Sequence, residues 1–131
     1  MTGAGTARWS YDIRLAIQPV SASRARDFVR HRLGEQELAY LEDDVVLVVS
    51  ELATNAMVHA RTPFRVCLQA FELTLLLEVE DGCQAGPVLV VPRVLDTSGR
   101  GLTIVRLLSR DWGVNARADG GKSVWAEFDL S

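Results

Sequence analysis

The stretch Val45–Ala60 constrains this chain more than any other. Eleven of its sixteen residues are apolar: Val45, Val46, Leu47, Val48, Val49, Leu52, Ala53, Ala56, Met57, Val58 and Ala60. Projected as a helix at about 100° per residue, the five polar residues Ser50, Glu51, Thr54, Asn55 and His59 all fall within one half of the wheel. The other half is wholly apolar and must pack on a core, so the fold has to supply a broad apolar layer against it. Glu51, Asn55 and His59 stack along one stripe, and the polar half still carries Leu47, Val48 and Val58. A carboxylate and an amide in such company require partners, because unpaired burial costs about 1–3 kcal/mol or more. Two settings satisfy them: a ligand with water and a metal, or a plain amphipathic surface with a core-satisfied Asn.

The flanking patterns show what that layer is. Tyr11–Ile17 alternates, with Tyr11, Ile13, Leu15 and Ile17 on one side, and reads as a strand closed by Pro19. Ser21 or Ser23 caps a first helix carrying Ala25, Phe28, Val29 and Leu33, and Gly34 stands where a C′ glycine is expected. The long helix begins around 38–44, runs to about Ala60 and is stopped by Thr62-Pro63. Phe64, Val66, Leu68 and Ala70 share one face of a strand; Leu73, Leu75, Leu77 and Val79 share one face of the next, with a hairpin around Phe71-Glu72. Residues 82–98 have no long period and read as a loop of functional length. Gly99–Gly101 opens a helix with Leu102, Ile104, Val105, Leu107 and Leu108. Trp112–Ala116 and Val124–Leu130 are the last strands, joined through the turn signal Asp119-Gly120-Gly121. Strands and helices mix without strict βαβ alternation, which predicts an α+β two-layer sandwich with helices on one face of a mixed, mostly antiparallel sheet. The 131 residues are expected to form one domain, with residues 1–8 frayed.

Charge and composition exclude several functions. The net charge is −3, with no basic excess, so direct binding to nucleic acid is not expected. The apolar runs Val45–Val49 and Leu73–Leu77 fall far short of the roughly 20 residues that span a bilayer. Residues 1–10 lack the apolar core of a signal peptide, and the protein is expected to be soluble and cytoplasmic, away from membranes. Cys67 and Cys83 make no disulfide framework, and His31 and His59 are too few and too far apart for a metal site.

Two further features carry chemistry. Asp81 ends an apolar strand just before Gly82, a placement that serves either an Asp-Gly turn or a carboxylate accepting from an exocyclic amine. In Ser98-Gly99-Arg100-Gly101-Leu102, two glycines feed a helix, where main-chain N–H groups attract an anion. A third glycine and a directly preceding strand are missing, so this is not a dinucleotide fingerprint. There is no Gly-Lys-Ser/Thr either, so it is not a Walker loop.

Taken in order, these features resemble the GHKL ATPase superfamily of gyrase, heat-shock chaperone, histidine kinase and MutL-type ATP sites. Glu51-Leu52-Ala53-Thr54-Asn55-Ala56-Met57-Val58-His59 is similar to the family's N box, Asp81 to the aspartate of its second box, and Gly99-Arg100-Gly101-Leu102 to its Gly-x-Gly box. Leu47–Ala56, Trp112-Gly113-Val114 and Lys122–Glu127 look closer still to one branch, the RsbW-like anti-sigma-factor serine/threonine kinases of small stand-alone type. The resemblance covers about Asp12 to Leu130 and implies a histidine kinase-like ATPase fold with ATP and Mg²⁺ as cofactors. It implies that Asn55 holds the Mg²⁺ bridging the phosphates and that Glu51 is the catalytic residue at the attacking hydroxyl. Asp81 would receive the adenine amino group and Gly99, Arg100, Gly101 and Leu102 would line the phosphates, with residues 86–98 as a lid and His59 structural. It further implies a sigma factor and an anti-anti-sigma protein as partners, and a homodimer.

One departure stands out. The second box is usually Asp-x-Gly-x-Gly, but here Cys83 and Ala85 occupy both glycine positions, with Gly82 and Gly86 one residue off. Where that turn requires positive φ, Cys or Ala is costly. The expected function is therefore an ATP-dependent anti-sigma kinase. The alternative is a non-catalytic module that binds nucleotide or a sigma factor through a degenerate adenine pocket. A split histidine-kinase catalytic domain fits less well, since the chain has no room for a phosphoacceptor helix pair.

Overall fold

The computed structural model describes residues 5–82, 99–118 and 120–130, and the side chains of 99–102 are outside that set. The first strand, β1, is Trp9–Leu15, and helix α1 is Pro19–Glu35. A 3₁₀ turn, Ala39–Leu41, leads into α2, Glu42–Asn55, which continues as a π-helical turn, Ala56–Ala60. Strands β2 (Phe64–Ala70) and β3 (Thr74–Asp81) follow, then α3 (Gly99–Leu108), β4 (Asp111–Ala116) and β5 (Lys122–Asp129). Among the described residues the sheet runs β1-β2-β3-β5-β4, and each of its pairings is antiparallel. None of the described helices is long and apolar enough to cross a membrane.

The core lies between the helices and one sheet face. Phe64, Val66, Leu68 and Ala70 of β2, Leu75, Leu77 and Val79 of β3, and Val124, Ala126 and Phe128 of β5 face Ala25, Phe28, Val29 and Leu33 of α1 and Val45, Val48, Val49, Leu52 and Ala53 of α2. The expected α+β two-layer sandwich is thus present. The second face of the sheet carries Arg65, Cys67, Glu78, Ser123, Trp125 and Glu127, the alternate residues of the same strands.

Several boundaries differ from the sequence reading. β1 starts at Trp9 and ends at Leu15, because Arg8 and Trp9 already lie along Ala70 of β2, the Arg8 amide donating to the Ala70 carbonyl at 2.7 Å. Pro19 opens α1 rather than closing the strand, its fixed φ and missing N–H suiting the first helical position. Ser21 is therefore inside the first turn, buried, with its hydroxyl donating to the Ala16 carbonyl at 2.5 Å. Gly34 is helical; the left-handed residue after α1 is Glu37, at φ 59°. The long helix does run to Ala60, but what stops it is Arg61, left-handed at φ 56°, whose amide donates five residues back to Ala56, ahead of Thr62-Pro63. Leu73 sits in the hairpin turn, 65% exposed, and β5 starts two residues earlier than its apolar pattern. Residues 1–4 and the 83–98 segment, with Cys83, Ala85 and the lid, lie outside the described residues.

Candidate functional site

The polar stripe of α2 comes to the end of the helix nearest the Asp81 row of the sheet. The chain passes from Asn55 through the π-helical turn, which packs on β3, and enters β2 at Phe64, the register partner of Asp81. Asn55 is 4% exposed, and Glu51, one turn earlier, is half-buried. Thr54 is exposed and its hydroxyl donates back to the Ser50 carbonyl at 2.8 Å. His59 stands in the π-helical turn, beyond the regular α-helix, so it does not continue the Glu51–Asn55 stripe in α-helical register.

Asp81 alternates with Val79 and Leu77, so its side chain points to the helix face of the sheet. It is 4% exposed. Across the β3–β5 pair its partner is Lys122, whose ammonium donates to Asp81 Oδ2 at 2.5 Å, with both side chains 2% exposed. Gly82 is anchored as well: its amide donates to Thr62 Oγ1 at 3.0 Å, tying the end of β3 to the segment that follows the π-helical turn. Lys122 went unassigned in the sequence reading, though a signal was there. It shares the alternation of Val124, Ala126 and Phe128, and a lysine on the apolar side of a strand calls for a buried anion.

On the opposite sheet face at the same end, Arg65 donates to Asp12 and to Glu80, each at 2.9 Å, and Arg117 approaches Glu80 at 2.7 Å. The Asp12 bond, followed by Glu80, raises Arg65 beyond its ordinary guanidinium value. Arg14, Arg65, Arg117, Pro63, Glu80, Asp81 and Gly82 line a cavity of about 180 Å³ at this end of the sheet. A second hollow of about 300 Å³ lies between α1 and α2, lined by Arg26, Arg30, Glu42, Asp43, Val46, Leu47 and Ser50.

The third sequence feature, Gly99–Leu102, opens α3, which packs against α2 and feeds β4 at Asp111. The structure thus carries Glu51 and Asn55 on α2, Asp81 at the end of β3, on which the π-helical turn after Asn55 packs, and α3 against α2. For a divalent cation the donor set is chemically apt: Asn55 offers a hard amide oxygen. The described residues contain no group of three His, Cys, Asp or Glu side chains that would close a cage without phosphates and water.

Residues 15–128 match the histidine kinase-like ATPase domain. Among solved structures, the chain is similar to the RsbU and RsbW domains of Rv1364c from Mycobacterium tuberculosis, with a TM-score of 0.67 at 18% identity. That match covers 92% of this chain and 32% of the other, so this chain spans about a third of its length. No curated protein sequence matches. Fold likeness at such low identity speaks only of architecture, but the domain match runs from the last residue of β1 to the penultimate residue of β5, and on that ground this chain belongs to the family of histidine kinase-like ATPase domains.

Proposed function

We propose that this protein is an ATP-binding anti-sigma factor that phosphorylates a serine or threonine of an anti-anti-sigma protein. The observation that carries this reading is the spacing of Glu51 and Asn55, one turn apart at the end of α2 that adjoins the buried Asp81. Asn55 would hold Mg²⁺ through its amide oxygen, and Mg²⁺ supplies neutralisation of phosphate charge when bound. Glu51 orients the acceptor hydroxyl and takes its proton. Asp81 accepts a hydrogen bond from the adenine amino group: a carboxylate has two oxygens and about four lone-pair sites, so the Lys122 bond does not exhaust it. The main chain at Gly99 and Gly101, with Arg100 and Leu102 between and after them, meets the phosphates at the start of α3. The domain match over residues 15–128 supports the nucleotide-binding part of this reading, and the resemblance of Leu47–Ala56 and Lys122–Glu127 to the RsbW-like branch supports the anti-sigma part.

The replacement of two glycines by Cys83 and Ala85 favours a second reading, a sigma-binding module that holds nucleotide without transferring phosphate. Calorimetry with ATP, with and without Mg²⁺, followed by incubation with labelled ATP and a candidate anti-anti-sigma protein, separates the two. Transfer of label to serine or threonine supports the kinase, Mg²⁺-dependent binding without transfer supports the module, and absence of binding defeats both.

A further inference from the structure

Lys122 is the largest fully buried side chain described in the protein, and its ammonium is committed to Asp81. Placing an ammonium and a carboxylate beneath a helix layer strips both ions of water, and such a pair seldom stabilises a fold more than apolar residues of the same size would. Val124, Ala126 and Phe128 continue the same face of β5 and Val79 that of β3, so apolar residues at both 81 and 122 would complete that face at lower cost than the ion pair. Stability alone therefore does not account for Lys122.

The pairing does define the chemistry that Asp81 presents. A carboxylate held by an ammonium is an acceptor only, whereas a neutral carboxylic acid also carries a donor. Adenine offers an amino group at its position 6, a donor, and guanine offers a carbonyl oxygen there, an acceptor. An acceptor-only Asp81 bonds the first and repels the second, and a protonated or amide-like group would tolerate the second.

From this geometry we infer that Lys122 is a positioning residue for base selection: by its contact with Asp81 it holds the strand-end carboxylate oriented as a hydrogen-bond acceptor, and so sets the preference for adenine over guanine nucleotides. The inference rests on the nucleotide role of Asp81 proposed above. Gly120 and Gly121 bring Lys122 to its place. Gly120 is left-handed at φ 94°, and Gly121 leaves the β5 main chain close against that of Asp81.

The test measures dissociation constants for ATP, GTP and inorganic tripolyphosphate, each with Mg²⁺, by calorimetry. The proteins are the full chain, Lys122→Met, Lys122→Arg and the neutral double variant Asp81→Asn/Lys122→Met, each checked for fold by circular dichroism. Wild type is expected to prefer ATP. Lys122→Met should lower the ATP-to-GTP preference by about tenfold or more, the scale of one charge-assisted hydrogen bond, with tripolyphosphate binding unchanged. Lys122→Arg should restore much of the preference, since it keeps the cation. Should Lys122→Met not fold, the double variant buries no unpaired charge and is expected to fold with the preference lost. A folded Lys122→Met that retains the wild-type ATP-to-GTP ratio overturns the inference while leaving the ATP site standing, and a double variant that retains it removes Asp81 from base recognition as well. A wild type that binds ATP and GTP equally overturns the inference together with the adenine role of Asp81 while leaving phosphate and Mg²⁺ binding standing, and one that binds neither overturns the site as a whole.

Discussion

Gly121 rests against the main chain of Asp81: a Cβ added to it would fall 2.1 Å from the Asp81 carbonyl oxygen and 3.1 Å from the Gly82 Cα. Backbone cannot yield as a side-chain tip can, so Gly121→Ala must part the start of β5 from the end of β3. Overpacking of this kind costs about 1–3 kcal/mol. Urea unfolding should show that loss. ATP affinity should fall with it, because Asp81 and Lys122 flank the displaced peptide. Wild-type stability in Gly121→Ala would mean that the two strand ends are not in contact.

Gly113 offers a contrast at the opposite face of the sheet. It lies directly across from Trp125, and a Cβ there would come 2.7 Å from Trp125 Cζ2, so the indole lies over the glycine. Gly113→Ala should destabilise the fold by a similar margin, about 1–3 kcal/mol, by pushing the ring off the sheet. The helix face is untouched, and nucleotide affinity should stay within about twofold, well under the tenfold that 1.4 kcal/mol would produce. A thermal melt paired with a binding isotherm reads both quantities, and a large loss of affinity with little loss of stability would contradict this separation of the two faces.

Cys67 lies on that same outer face but is 3% exposed, and burial pushes its thiol above the ordinary cysteine value despite the nearby Arg65. A raised thiol has less thiolate at any given pH, so it reacts more slowly. In a Cys83→Ser background, iodoacetamide at pH 8 should label Cys67 far more slowly in the folded protein than in urea. Equal rates in the two states would show the thiol to be open to solvent.

The sequence makes the layer structure readable because burial on one side writes itself as alternation or helical period. Phe64–Ala70, Val45–Ala53 and the Phe28–Leu33 face all carry that mark, and all meet in one core. Boundaries are harder wherever a residue has two uses. Pro19 ends a strand or opens a helix with equal chemistry, and only the position of β1 against β2 decides. Gly34 looks like a helix stop, yet nothing in its neighbourhood requires a left-handed residue and the chain turns at Glu37 instead. At the site, Glu51, Asn55 and Asp81 were legible as residue types at meaningful spacings. Lys122 was missed because a lysine near a Gly-Gly turn passes for surface. Its burial depends on Asp81, 41 positions away in the chain, and only the β3–β5 register brings them together.

Asn55→Ala should leave the fold close to intact and remove the Mg²⁺-dependent part of ATP binding. Asn55 is buried at the end of α2, and alanine suits a helix while offering no oxygen to a cation. The comparison is of ATP dissociation constants with Mg²⁺ and with EDTA. In wild type the two should differ, and in Asn55→Ala they should converge. An unchanged Mg²⁺ dependence in the variant removes Asn55 from the cation site.

Glu51→Ala should separate binding from chemistry. Glu51 is half-buried one turn before Asn55, and the proposed function sets it at the acceptor hydroxyl and not at the nucleotide itself. A group that acts on the proton in transit contributes to the transition state and little to the ground state. Nucleotide affinity should therefore persist within about twofold, while single-turnover phosphorylation of the anti-anti-sigma protein drops by about a hundredfold or more, the usual scale for a lost general base. Glu51→Gln, which keeps the shape and loses the basicity, should behave like Glu51→Ala. Wild-type transfer in the glutamine variant would make Glu51 a hydrogen-bonding orienter rather than a base, and wild-type transfer in both would take it out of the mechanism. In the proposed function, capture of a sigma factor does not require the γ-phosphate to move, so under that reading it should survive in each variant. Loss of capture alongside loss of transfer would point instead to damage at the end of α2, and the melting temperature of each variant tells the two apart.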